Sequence, residues 1–100
     1  MKISEKGIKL YPNDGEILRR HALNLQIFEN YKESEVYYKK AMKADPNDSL
    51  CYNELGYMLH TLGRYEESEK YMKKAIELNE NDDNMIMMFA VTLNERERLE

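Results

Sequence analysis

Apolar and polar positions along this chain follow a helical beat that breaks off at regular places. Ile17, Leu18, His21, Leu25 and Phe28 recur at helical steps, and so do Cys51, Tyr52, Leu55, Leu59 and Leu62. Such spacing lines the apolar side chains along one face of an α-helix. Each stretch stops at a short break, Glu29-Asn30 or Gly63-Arg64. A second stretch then carries Tyr31, Ser34, Tyr38, Ala41 and Met42 in one case, and Tyr65, Ser68, Met72, Ala75 and Ile76 in the other. Asp45-Pro46-Asn47-Asp48 and Asn79-Glu80-Asn81-Asp82 close these stretches. Proline cannot continue a helix interior, and an Asn or Asp side chain caps the helix that follows.

The pattern repeats every 34 residues, and Tyr31 to Asp48 matches Tyr65 to Asp82 at ten of 18 positions. The same frame reaches back to Lys6–Asp14, which falls on Lys40–Asp48. A fixed period of this length marks a solenoid, in which each unit buries its apolar face against its neighbours. The expected fold is all-α: six helices stacked as antiparallel pairs in one domain of 100 residues. Residues 1–14 supply the second helix of a partial repeat. Residues 15–48 and 49–82 are complete repeats, and 83–100 supply the first helix of another partial repeat.

Small residues fall in register where helices must approach closely. Ala22, Gly56 and Ala90 share one phase, Gly7, Ala41 and Ala75 another, and Ser34 and Ser68 a third. Large residues fill complementary phases: Leu25, Leu59 and Leu93, and also Leu18, Tyr52 and Ile86. A glycine inside a helix costs about 1 kcal/mol relative to alanine, so Gly56 predicts a tight crossing.

The net charge of −4 comes with no basic segment, which argues against nucleic acid as a partner. In each second helix the acids precede the bases (Glu66, Glu67 and Glu69 before Lys70, Lys73 and Lys74), as a solvated helix face with i,i+4 pairs requires. No apolar run is long enough for a membrane span, and the amino terminus lacks the features of a secretory signal. The single cysteine, Cys51, cannot form an internal disulfide, so a reducing cytoplasmic setting is expected. Phosphate-binding, HExxH and CxxC motifs are absent, and no catalytic constellation, metal site or cofactor is expected. His21 is expected at a core position and His60 at an exposed one near its helix end, in different phases of the repeat. Cys51 reads as a half-buried packing residue.

On these residues the chain resembles the tetratricopeptide repeat family. Leu18, Ala22, Leu25, Ser34, Tyr38, Ala41 and Pro46 follow the family pattern in the first unit. Tyr52, Leu55-Gly56, Leu59, Ser68, Met72 and Ala75 follow it in the second, while His21 departs from it by replacing the usual Leu. The resemblance implies a right-handed superhelix whose concave groove is lined by the first helix of each pair. The lining would come from Glu16, Arg19, Leu23, Gln26 and Ile27. Leu50, Asn53, Tyr57, His60 and Thr61 would follow, then Asn84, Met87, Val91 and Asn94. Some family members clamp acidic chaperone tails with Lys, Asn and Arg. Arg19 could stand for one such cation, but Leu23, Glu54, Asn84 and Met88 at the other clamp places do not match. A mixed apolar and polar peptide or partner helix suits this groove better.

The function expected from this reading is that of a protein–protein interaction scaffold, a fragment of a larger protein whose final Leu99-Glu100 looks like a cloning scar. The alternative is an architectural or oligomerisation module with no groove ligand. Met85, Ile86, Met88, Phe89, Val91 and Leu93 spread around most of the last helix, which predicts burial on nearly all sides. Self-association is therefore expected through Ile3, Ile8 and Leu10 at one end and Met85 and Met88 at the other, as an open chain or an isologous dimer.

Overall fold

The computed structural model describes the backbone of residues 2–99 and the side chains of residues 5–98. These described residues form six helices: α1 (Lys2–Leu10), α2 (Gly15–Ile27), α3 (Tyr31–Ala44), α4 (Ser49–Thr61), α5 (Tyr65–Leu78) and α6 (Asp83–Leu99). Among the described residues there is no strand. The chain divides into two compact units, residues 1–47 and 48–100.

Aspartates 34 residues apart start the first-type helices. The Asp14 carboxylate accepts from the Ile17 amide at 3.1 Å and that of Asp48 from the Leu50 amide at 3.1 Å. Asp82 accepts from the amides of Asn84 and Met85 at 3.0 and 3.2 Å. Each satisfies helix N–H groups that have no intrahelical acceptor. The ends of α2 and α4 also repeat. The Asn30 amide donates to the Leu25 carbonyl at 2.8 Å, and the Arg64 amide to the Leu59 carbonyl at 2.9 Å. These six-residue closures need a left-handed residue just before the donor. It is Gly63 (φ 79°) in the second unit and Glu29 (φ 64°) in the first.

In the first unit α2 packs on α3, and α1 packs on α2 with Gly7 close against Ile17. The crossing of α2 and α3 is fixed by the Ser34 hydroxyl, which donates to the Ala22 carbonyl at 2.6 Å. Tyr38 is fully buried beside it, and its hydroxyl donates to Gln26 Oε1 at 2.7 Å. In the second unit α4 packs on α5, and α6 lies on α5 and touches α4. Here the Ser68 hydroxyl donates to the Gly56 carbonyl at 2.6 Å, and Met72 takes the register of Tyr38. Small residues at 22 and 56 let the serine reach a helix carbonyl, which retains a second lone pair after its own helical bond.

Charges along the helices pair as the sequence pattern predicts. Glu16–Arg20 and Glu35–Lys39 pair at 2.9 and 3.0 Å across one helical turn. Pairs of this kind contribute a few tenths of a kcal/mol at most. The fold rests on the crossings instead.

Two substitutions probe these features. A Cβ at position 56 would lie 2.7 Å from Met72 Cγ and 3.4 Å from the backbone at Met72 and Ser68. Gly56→Leu should therefore lower stability by about 1–3 kcal/mol or more, read as a large drop in Tm. An unchanged Tm would mean that the crossing tolerates a side chain there. Glu29→Gly should act in the opposite direction. It relieves a left-handed non-glycine residue, worth about 1 kcal/mol, so denaturant melts should shift to a higher midpoint. A lower midpoint would show that the turn carries no strain.

Candidate binding surface

The expected lining residues divide between the two units. On α2, Glu16 and Ile27 are exposed, and Arg19, Leu23 and Gln26 are half-buried. Gln26 Oε1 accepts from the Tyr38 hydroxyl, so this side chain also braces the hairpin. On α4, Leu50 and Tyr57 are exposed, Tyr57 by 47%, while Asn53 is half-buried. Thr61 is exposed, and its hydroxyl donates to the Tyr57 carbonyl at 3.1 Å. On α6, Asn84, Met87, Val91 and Asn94 are exposed, Met87 by 64%. Val91 and Asn94 also edge a shallow hollow of about 440 Å³ with Glu95, Glu97 and Arg98. The second unit thus brings Tyr57 of α4 and Met87 and Val91 of α6 to its surface as large apolar side chains with polar neighbours.

His60 is not the exposed residue the sequence predicts. It is half-buried, with Nδ1 2.9 Å from Thr92 Oγ1 and its ring 5.2 Å from that of Tyr65 at an edge-on angle. Thr92 is fully buried, and its hydroxyl donates to the Met88 carbonyl at 3.0 Å. With that proton spent, Thr92 accepts from an Nδ1–H tautomer of His60. The pair ties α6 to α4, and Arg96 ties α6 to α5 through an ion pair with Glu69. Sequence reasoning missed Thr92 because threonine carries no apolar signal. Its register with Met58, also buried, was the available clue.

The self-association residues need correction as well. Met85 is 1% exposed, inside its own unit, and cannot meet a partner. Met88 is half-buried. The open apolar residues of α6 on that side are Ile86 and Ala90, with Phe89 and Leu93 half-open. Ala90 has the phase of a tight crossing but is exposed, and no described helix crosses it there. On α1, Leu10 is exposed and Ile8 half-buried, while the side chain of Ile3 lies outside the described residues. Cys51 is fully buried rather than half-buried.

No group of three His, Cys, Asp or Glu among the described residues is placed to hold a metal ion. No described helix is long and apolar enough to cross a membrane. The tetratricopeptide repeat profile matches residues 20–48 and 50–82. The chain belongs to the tetratricopeptide repeat family. No curated protein matches the chain. Tetratricopeptide repeats are in general protein–protein interaction modules. Both serine–carbonyl crossings, Ser34 with Ala22 and Ser68 with Gly56, lie inside the matched residues.

His21, where this tetratricopeptide repeat departs from the family pattern, is 5% exposed and meets the Tyr37 ring edge-on at 4.5 Å. Burial pulls its pKa below the ordinary 6.5, against the attraction of Glu5 and Glu33. The unfolded chain then binds a proton that the folded chain excludes, so this contribution is complete above the ordinary value and is lost as pH falls below it. His21→Leu should be more stable than the parent, with a gap that widens from about pH 7 to about pH 5. Chemical denaturation at a series of pH values measures it, and a gap that stayed constant or narrowed would contradict the assignment.

Proposed function

We propose that this chain is a protein-binding scaffold of the cytoplasm, without enzymatic activity, that holds a peptide or partner helix against the outward-open faces of its first-type helices. The observation that carries this reading is the set of large apolar side chains left exposed on α4 and α6: Leu50, Tyr57, Met87 and Val91. They alternate with Asn53, Thr61, Asn84 and Asn94. An apolar strip with polar neighbours suits a partner that buries a few anchors and satisfies hydrogen bonds at the rim. Arg19 and Leu23 of α2 and the exposed Ile27 extend the same candidate set in the first unit. Self-association through the terminal helices is a second reading, favoured by the open apolar positions of α6.

A peptide selected from a random library on the immobilised chain tests the first reading. Tyr57→Ala should raise its Kd by roughly thirtyfold, the equivalent of about 2 kcal/mol at an aromatic anchor. Lys70→Ala, on the exposed side of α5, should leave the Kd unchanged while both variants keep the parent's helical signal. The reverse ranking would reject the proposed face.

A further inference from the structure

The charge pairing of α3 is not repeated on α5. In the first unit Glu35 pairs with Lys39 across one helical turn, and Lys40 Nζ lies 4.8 Å from the centre of the Tyr37 ring. The equivalent residues of the second unit are Glu69, Lys73, Lys74 and Tyr71. There Arg96 of α6 takes Glu69, and Arg64 holds both oxygens of Glu67 at 3.0 and 2.6 Å. Those are acids that helical spacing offers to Lys73 and Lys70. No described carboxylate pairs with Lys70, Lys73 or Lys74. The repeat does not require a base at position 70 either, since the first unit has the exposed Val36 there.

The three lysines edge a hollow of about 360 Å³ in the second unit, with Glu77 at its rim and the half-buried Tyr52 and Tyr71 in its wall. Residues three and four apart lie on one helix face, so the ammonium groups gather rather than spread. None of these side chains belongs to the apolar strip of Leu50, Tyr57, Met87 and Val91.

We propose that this hollow binds a phosphorylated tyrosine side chain of a partner protein. A phosphoryl group brings nearly two negative charges and three acceptor oxygens to one point. Gathered ammonium groups match that better than they match a row of single carboxylates, and lysine serves phosphate as a point charge. The rings of Tyr52 and Tyr71 give the stem an apolar surface on which an aromatic ring packs offset or edge-on. The lysines are exposed, so each contributes modestly and salt weakens the whole. The net charge of −4 turns away long polyanions, so the site favours a compact anion.

Phenyl phosphate carries the same ring and ester group and is the probe. Titrated into the isotope-labelled chain at low salt, it should move the amide resonances of Tyr52 and residues 70–74 and leave those of α2 in place. Its Kd should be about fivefold below those of inorganic phosphate and benzoate. Lys70→Val combined with Lys73→Gln should raise that Kd by about tenfold. Glu77→Lys, which borrows the residue the first unit has at Lys43, should lower it by about threefold. All three positions are exposed, so the helical signal should not change. No movement of these resonances at tens of millimolar probe would overturn the site, as would a Kd indifferent to the double substitution. Benzoate binding as well as phenyl phosphate would refute the phosphoryl assignment and point to carboxylates of an acidic segment. Inorganic phosphate binding equally well would refute the aromatic stem.

Discussion

In each unit a buried serine on the second helix gives its proton to a carbonyl of the first, at 2.6 Å in both cases. That bond requires a first helix with almost no side chain at the crossing, which Ala22 and Gly56 provide, and it sets how far one helix slides along the other. Breaking it would leave a buried hydroxyl and forfeit about 1 kcal/mol or more. Its larger effect is on register. With the slide fixed, Tyr38 and Met72 come to their buried positions, and Leu25 and Leu59 come to theirs.

A fixed register also determines which residues are left over. Once one face of α4 is committed to α5, Tyr57 and Leu50 keep about half of their surface exposed. On α6 the links to His60 and Glu69 hold Met85 and Thr92 inward, which turns Met87 and Val91 outward. The apolar side chains that stay exposed are therefore by-products of the crossings, and they stand on helices rather than on loops. A partner that meets them pays little ordering cost on the protein side.

Most of the fold was legible in the sequence, because period, small-residue phases and capping residues each left a mark at a fixed offset. Asp14, Asp48 and Asp82 act as the turn chemistry requires, and Ser34 and Ser68 sit at the close approaches. The candidate surface was less legible. Periodicity places a residue on a face but does not say what a polar side chain bonds to. Gln26 and His60 fell on the expected face and proved to be engaged internally, one with Tyr38 and the other with Thr92. The apolar residues of α6 misled for a different reason. Hydropathy marks Met85 and Ile86 alike, and only the packing of α6 on α5 separates the buried one from the open one.

The second unit fills the space of a missing Cβ with Met72 Cγ, whereas the first unit has Ala22 in register with Gly56 and Tyr38 in register with Met72. The two repeats share a backbone plan but have settled on different solutions at one joint. Their residues are consequently not exchangeable one at a time. A single replacement drawn from the other repeat meets the wrong neighbour, and only a paired exchange preserves the volume of the crossing. Repeats descended from a common unit would drift apart by such coupled steps, each change fixing what its neighbour can next become.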